Sequence, residues 1–215
     1  MHGDRHTTNR LYLTAVLRAQ LEPNGQAIML SNVRVVWDIP DLRSHGSDVM
    51  VISGLREQRN WSTFDVAEEG VRPTLFIEIV EPETRENDVE RKVEHYTRAG
   101  VAQYVIVDNV GWQGQRQLQL LNYRLFSGRY QLQPTNNRGR VYLEVARLWP
   151  GIEGDHVFCY DEHVVALGEY VTVMQQITEA LARVRREAAA RAEIETRLRE
   201  LEAELRRLRS TRSTF

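Results

Sequence analysis

Residues 74–108 read TLFIEIVEPETRENDVERKVEHYTRAGVAQYVIVD, and the order of elements in this segment indicates the fold class. The run from Thr74 to Val80 is rich in β-branched and aromatic residues and is typical of a buried strand. The stretch from Glu83 to Gly100 is typical of a helix, and the run from Tyr104 to Asp108 is typical of a second strand. A strand, a helix and a strand in this order indicate one βαβ crossover, so the sequence predicts an α/β fold.

The predicted helix carries the only lysine of the chain, Lys92, among 28 lysine and arginine residues. Val89, Val93 and Tyr96 recur at helical spacing and predict the core-facing side, which Lys92 borders. Arginine does not lose its proton in proteins, whereas lysine can shift its pKa and present a compact charge. A single lysine in an arginine-rich chain therefore indicates a functional position, and a neutral substitution is the alternative interpretation.

Two acids accompany this lysine. Glu78 interrupts the apolar run from Thr74 to Val80, and Asp48 opens another apolar strand that extends to Ile52. A carboxylate facing an enclosed surface requires a partner. We expect the two acids, on adjacent strands, to converge with Lys92 on one point. Two close carboxylates repel each other unless a cation lies between them, and divalent metals that prefer oxygen ligands suit this arrangement.

The pattern resembles a known family. Asp48, the tripeptide 78–80, the spacing Asp88-x-x-x-Lys92 and the segment 96–108 are similar to the Uma-type family of bacterial restriction endonucleases, within the PD-(D/E)XK nuclease superfamily. The resemblance covers residues 9 to 160 and is strongest from 72 to 108. It implies a restriction-endonuclease-like core, in which helices flank a mixed β-sheet.

The chain departs from the superfamily motif at two positions. The motif has a proline before the first acid, where this chain has Ser47, and a lysine two residues after the glutamate, where this chain has Val80. The resemblance therefore implies that the lysine has moved to the helix, at Lys92. The family has a serine where this chain has Glu81, which adds a third acid.

The resemblance implies metal-assisted hydrolysis of DNA phosphodiester bonds. Asp48, Glu78 and the main-chain carbonyl of Ile79 would hold Mg²⁺ or Mn²⁺, and a bound metal lowers the pKa of its water. Lys92 would orient or deprotonate that water, or stabilise the transition state. Glu81 and Asp88 are candidate additional ligands, and a solvated strand-end acid and a helix N-terminal charge are the alternative interpretations.

Outside this region the sequence predicts the following elements. Residues 9–21 predict a helix with Asn9 as its cap, and residues 27–30 and 33–37 predict a hairpin through Ser31-Asn32. Residues 118–126 predict a strand that turns at Ser127-Gly128 into residues 130–132, and residues 142–145 predict a further strand. We expect a nuclease-like domain over 1–167, a C-terminal helix over 168–209 and a frayed tail over 210–215.

The C-terminal segment predicts oligomerisation. Residues 171–209 contain no glycine or proline, and their apolar residues step by fours and threes, with an interruption near residues 188–192. This pattern favours a coiled coil and hence a homodimer. A single amphipathic helix packed on its own domain is the alternative.

Composition limits the other functions. The net charge of −2 and the pI of about 6.3 give no global positive field for nucleic acid. Five arginines can line a local groove or form an ordinary solvated surface: Arg43, Arg56, Arg59, Arg72 and Arg85. A single cysteine, no signal peptide and no apolar run of 18 residues predict a cytoplasmic protein without membrane contact.

A catalytically inactive nuclease fold that serves as a binding or assembly module is the alternative function.

Overall fold

The computed structural model describes residues 4–23, 25–55, 59–80, 85, 87–112, 115–167, 179–184 and 186–199. The chain divides into two compact units, Met1–Tyr170 and Val171–Phe215. In order along the chain the elements of the first unit are α1 (Asp4–Leu21), β1 (Ala27–Val36), β2 (His45–Ser53), β3 (Thr63–Asp65), α2 (Val66–Glu69), β4 (Leu75–Ile79), the π-helical segment Asn87–Arg91, α3 (Lys92–Ala99), β5 (Gln103–Trp112), β6 (Gln115–Phe126), β7 (Arg129–Gln133), β8 (Trp149–Glu153) and β9 (His156–Tyr160).

Within the described residues, seven strands form one mixed sheet in the order β3-β1-β2-β4-β5-β6-β7, and β8 and β9 form a separate hairpin. β4 lies at the centre, antiparallel to β2 and parallel to β5. The parallel pair is joined through α3, as the strand–helix–strand pattern predicts. The predicted α/β fold, a mixed sheet flanked by helices with a C-terminal helix, is confirmed.

The core on the α3 side of the sheet is aromatic. Phe76 of β4 stacks on Tyr96 of α3 with ring centroids 4.2 Å apart, and Tyr104 of β5 meets Tyr96 edge-on at 4.7 Å. α3 ends at Gly100, whose left-handed φ of 72° lets its N–H return to the carbonyl groups of Tyr96 and Thr97. These contacts fix α3 over β4 and β5.

Helix α1 contacts β1, β2 and β4. Leu13, Leu17 and Leu21 of this helix are fully buried. The expectation that Asn9 caps this helix is wrong, because α1 begins at Asp4. The Asn9 side chain is buried and instead pairs with the backbone of the β9 hairpin, where its Oδ1 accepts the N–H of Val157 at 3.1 Å.

The hairpin predicted within residues 27–37 is wrong. β1 is one continuous strand, and both of its halves pair with β2, from Ala27 opposite Ser53 to Val35 opposite His45. Asn32 has a left-handed φ of 57°. Asparagine also favours this conformation in turns, so the residue type does not distinguish a hairpin turn from a continuous strand.

Two further predictions have opposite outcomes. The turn at Ser127-Gly128 is confirmed, since positive φ angles of 48° and 78° join β6 and β7 tightly. The strand predicted over residues 142–145 is wrong, because the segment forms turns closed by a single bridge from Leu143 to Leu148. The pairing of β8 with β9 was not predicted.

The second unit is helical over 179–184 and 186–199. Its apolar side chains Leu181, Val184, Ile194 and Leu198 are exposed by 47–68%. Residues 168–178 and 200–215, which complete the predicted coiled coil and tail, lie outside the described residues. Among the described helices, none is long and apolar enough to cross a membrane.

The thiol of Cys159 should react slowly in the native protein. Its side chain is fully buried in β9, and burial raises the pKa of the thiol to about 12. Because only the exposed thiolate reacts, we expect modification at pH 8 to be on the order of a thousandfold slower in the native protein than in urea. Stopped-flow reaction with a chromogenic disulfide measures both rates on this single thiol, and similar rates in the two states would contradict the packing of β9.

Candidate active site

The ladder between β2 and β4 ends where the two predicted acids face each other. Val49 pairs with Ile77, and the same register places Asp48 opposite Glu78. Beyond the Val49–Ile77 pair, side-chain carboxylates take the place of backbone carbonyl groups as acceptors between the two strands. Glu78 Oε2 accepts the N–H of Asp48 at 3.4 Å, and Asp48 Oδ2 accepts the N–H of Ile79 at 2.9 Å. The two strands therefore separate at the acids, and each acid is held by the backbone of the other strand.

Lys92 reaches this point from the first turn of α3. Its Nζ lies 3.1 Å from Glu78 Oε2, and the two side chains are only 10% and 4% exposed. An unpaired carboxylate at this depth would cost free energy of folding. The ion pair with Lys92 avoids that cost, but its net contribution to stability is small. Val80, at the position where the superfamily motif has its lysine, packs in the α3-side core.

Tyr96 holds the other oxygen of Glu78. It lies one helical turn after Lys92, and its hydroxyl donates to Glu78 Oε1 at 3.0 Å. Burial, followed by the charge of Glu78, raises the pKa of Tyr96 well above its usual value. The phenol therefore stays protonated and remains a hydrogen-bond donor to the carboxylate.

His45 extends this chain of hydrogen bonds. Its Nε2 lies 2.8 Å from the Tyr96 hydroxyl, and its Nδ1 lies 3.3 Å from the carbonyl oxygen of Arg43. The Arg43 carbonyl can only accept, so Nδ1 donates to it. The hydrogen of Tyr96 is used on Glu78, so Nε2 donates to the Tyr96 oxygen. His45 therefore holds the Tyr96 hydroxyl in place.

Asp48 is charged at neutral pH. Burial alone raises the pKa of Asp48, but the hydrogen bonds from His6 and Ile79, with the positive charges of His6 and Lys92, outweigh burial and hold that pKa below its usual value. His6, in the first turn of α1, donates from Nε2 to Asp48 Oδ2 at 3.0 Å. The N-terminal helix thus contributes directly to the site.

The structure brings together the sequence-predicted residues Asp48, Glu78, Ile79 and Lys92. Glu81 and the side chain of Asp88 lie outside the described residues. Sequence reasoning assigned Tyr96 only to the core and did not single out His6 or His45. The spacing of Tyr96, four residues after Lys92, was a usable signal, because it places both groups on one helical edge. His6 and His45 offered no comparable spacing.

Asp108, at the far end of the predicted pattern, has a different role. It is fully buried in β5, and its two oxygens receive Nε and Nη2 of Arg85 at 3.0 and 3.1 Å. Gln119 of β6 donates to the same carboxylate at 2.7 Å. Arg85, which the sequence placed among candidate groove arginines, is therefore committed to this bidentate pair with β5.

The donor set fits a small hard cation. Among the described residues no group of three His, Cys, Asp or Glu side chains forms a ready metal cage. Mg²⁺ does not need one, because it keeps several waters and uses one or two carboxylates. The N–H of Ile79 points to Asp48, and a strand residue directs its N–H and C=O to the same neighbour, so the Ile79 carbonyl also faces this gap. Asp48, Glu78 and this carbonyl can supply the protein ligands.

Comparison with known proteins places the chain in a class. The family model Uma2, described as "Putative restriction endonuclease", matches residues 1–155, and the chain belongs to this family. A solved structure described as a putative nuclease belonging to DUF820, from Anabaena variabilis ATCC 29413, is similar at 16% sequence identity and a TM-score of 0.49. The match covers 68% of this chain and 76% of that one. A search of the curated proteins finds no match.

The hydroxyl of Tyr96 should stabilise the fold through Glu78. Tyr96→Phe keeps the ring stacked on Phe76 but leaves Glu78 Oε1 and His45 without this partner. We expect a loss of about 1–3 kcal/mol in the free energy of unfolding, because a buried charged acceptor loses a donor. Urea denaturation followed by fluorescence measures the change.

Tyr142→Phe is the matched control, since the Tyr142 hydroxyl makes no hydrogen bond within the described residues. Its stability should change by less than about 0.5 kcal/mol. Equal effects of the two substitutions would show that the Tyr96–Glu78 bond contributes nothing specific.

Proposed function

We propose that the chain is a cytoplasmic, metal-dependent endonuclease that hydrolyses DNA phosphodiester bonds. Membership in a restriction endonuclease family supports the reaction class. The observation that carries the proposal is the convergence of Asp48, Glu78 and Lys92 where β2 and β4 separate, with Lys92 Nζ 3.1 Å from Glu78 Oε2. Three charged side chains gathered at a sheet end are costly for folding, and such clusters concentrate at functional sites.

Asp48, Glu78 and the carbonyl of Ile79 would hold Mg²⁺ or Mn²⁺. The metal, when bound, lowers the pKa of a coordinated water and offsets charge on the scissile phosphate. The low pKa of Asp48 supports this role, because the carboxylate is ready as an ionised ligand without first losing a proton.

Lys92 acts best as a fixed positive charge. The Glu78 carboxylate, 3.1 Å away in a nearly buried setting, stabilises the ammonium form. A charged ammonium cannot accept a proton from water, but it can donate hydrogen bonds to the negative charge that develops on the phosphate. Of the roles open from the sequence, transition-state stabilisation therefore agrees best with the geometry.

Tyr96 and His45 are positioning residues in this proposal. Tyr96 restricts Glu78 by binding Oε1, which leaves Oε2 directed to Lys92 and to the backbone of Asp48. His45 in turn fixes the Tyr96 hydroxyl. A carboxylate held at both oxygens is pre-organised, and this reduces reorganisation during the reaction.

One observation favours the alternative of an inactive binding or assembly module. Glu78 has a protein donor at each oxygen, and Asp48 Oδ2 is bonded to His6 and Ile79. The acids are thus satisfied by protein groups alone, which is also the expected result for a retired site. Cleavage assays separate the two functions.

Wild-type protein should nick supercoiled plasmid with Mg²⁺ or Mn²⁺ and should not do so in EDTA. Asp48→Asn keeps the size of the side chain but removes the ligand charge, so we expect at least about a hundredfold slower nicking. Gel electrophoresis of the plasmid forms measures the rate.

Asp38→Asn is the control, because Asp38 forms an ion pair with Arg72 that is more than a third exposed on its arginine side. It should nick at the wild-type rate. Equal rates for the two variants would contradict the metal site, and no cleavage of linear, supercoiled or single-stranded DNA by the wild type would favour the inactive module.

We also propose that the protein is a homodimer through its C-terminal helix, which would bring two sites to two DNA strands. The apolar side chains of Ile194 and Leu198, one turn apart, are 68% and 56% exposed on this helix. Light scattering after gel filtration should give twice the chain mass of 25.0 kDa. The double variant Ile194→Glu/Leu198→Glu should be monomeric, because charges in a coiled-coil seam are costly.

Thr196→Glu is the control, since residue 196 lies on the opposite side of the helix from residue 194. It should remain dimeric. A single-chain mass for the wild type at all concentrations would contradict the dimer.

A further inference from the structure

A cleft of about 370 Å³ opens beside Lys92. It lies between the segment that enters β2 and the first turns of the α3 region. We call it the Arg43–Arg91 cleft after the two exposed arginines at its sides. Its described lining residues are Arg43, Ser44, His45, Arg91, Lys92 and His95.

The lining is unusual in its charge. Five of these six residues are arginine, lysine or histidine, and none of the described lining residues is an acid. The whole chain has a net charge of −2. A negatively charged polymer would therefore find no attraction to the molecule at large, and a local basic surface must supply it.

The cleft is continuous with the candidate active site. Lys92 lines it and also binds Glu78, and His45 lines it and also binds Tyr96. Arg91 and His95 are four residues apart and share one face of the helical segment, directed to the same space. A ligand in the cleft would therefore lie next to the reacting groups.

Two of the arginines that the sequence offers for a groove are instead paired with acids. Arg72 forms an ion pair with Asp38 at 2.6 Å, and Arg85 is bound to Asp108. A second cleft of about 420 Å³ contains Arg138 and Arg140 but also Asp161 and Glu162, so its charge is mixed. The Arg43–Arg91 cleft is the basic one of these two.

We propose that the Arg43–Arg91 cleft binds a backbone phosphate of the DNA strand, next to the phosphate that is cut. The guanidinium groups of Arg43 and Arg91 contact its non-bridging oxygens, since the planar fork of arginine matches a phosphate bidentately. This inference rests on the proposed function and adds the surface that positions the strand. Because it reads the backbone, it contributes affinity and register but no sequence preference.

The test is DNA binding, measured apart from cleavage. Fluorescence anisotropy with a labelled random-sequence duplex, with Ca²⁺ replacing Mg²⁺, gives the dissociation constant of the full-length wild-type chain at several salt concentrations. The double variant Arg43→Ala/Arg91→Ala should bind on the order of tenfold more weakly. Its plot of log affinity against log salt should be shallower by about 0.9, because one phosphate contact is lost. A merely structural defect would not change this slope by the amount expected for one phosphate.

Arg138→Ala, in the mixed-charge cleft, is the matched control and should retain both affinity and slope. Unchanged affinity and slope in the double variant would overturn the inference while leaving cleavage by the wild type, and hence the proposed function, intact. Absence of DNA binding by the wild type, or tighter binding of an RNA duplex than of DNA, would also overturn it. If the wild type binds DNA through the two arginines but never cleaves it, the cleft assignment holds and the nuclease proposal fails.

Discussion

The structure depends on the neutralisation of one buried carboxylate, that of Glu78, at the end of the central strand β4. At 3% exposure this group needs charged and polar partners, and two of them come from one edge of α3: Lys92 at Oε2 and Tyr96 at Oε1. The helix must therefore lie over β4 in one rotation and register, and the aromatic stack of Tyr96 on Phe76 fixes the same arrangement from the apolar side. Folding and the proposed chemistry thus use the same contacts, which explains why the groups proposed for chemistry are also well packed.

Much of this region was predictable because its determinants are local. The apolar strand with one glutamate, the helix with a stop at Gly100 and the following strand lie within residues 74–108. The parallel pairing of β4 with β5 follows from the short helical crossover. The sequence predicts the convergence of Asp48 with Glu78, because one acid opens an apolar strand and the other interrupts one. The structure adds that the two acids occupy opposite positions where the ladder ends.

The remainder depends on contacts that no local pattern encodes. His6 meets Asp48 across 42 residues, and His45 meets Tyr96 across 51, so neither contact leaves a spacing in the sequence. The Asn32 position in β1 shows the opposite problem: its left-handed backbone has the chemistry of a turn, but pairing with β2 on both sides keeps the strand continuous. Tertiary pairing overrides local turn preference in that case. The sequence offered Arg43 for a groove but not Arg91, because Arg91 differs from other arginines only in where the helix places it.

We propose that the catalytic lysine of this chain comes from α3. Single-turnover plasmid nicking by Lys92→Ala and Lys92→Arg, compared with wild type after circular dichroism has shown equal folding, tests it most directly. Nicking should be lost in both variants, because alanine removes the charge and the broad guanidinium cannot replace a compact ammonium 3.1 Å from Glu78. Nicking by Lys92→Ala at the wild-type rate would contradict the assignment of Lys92.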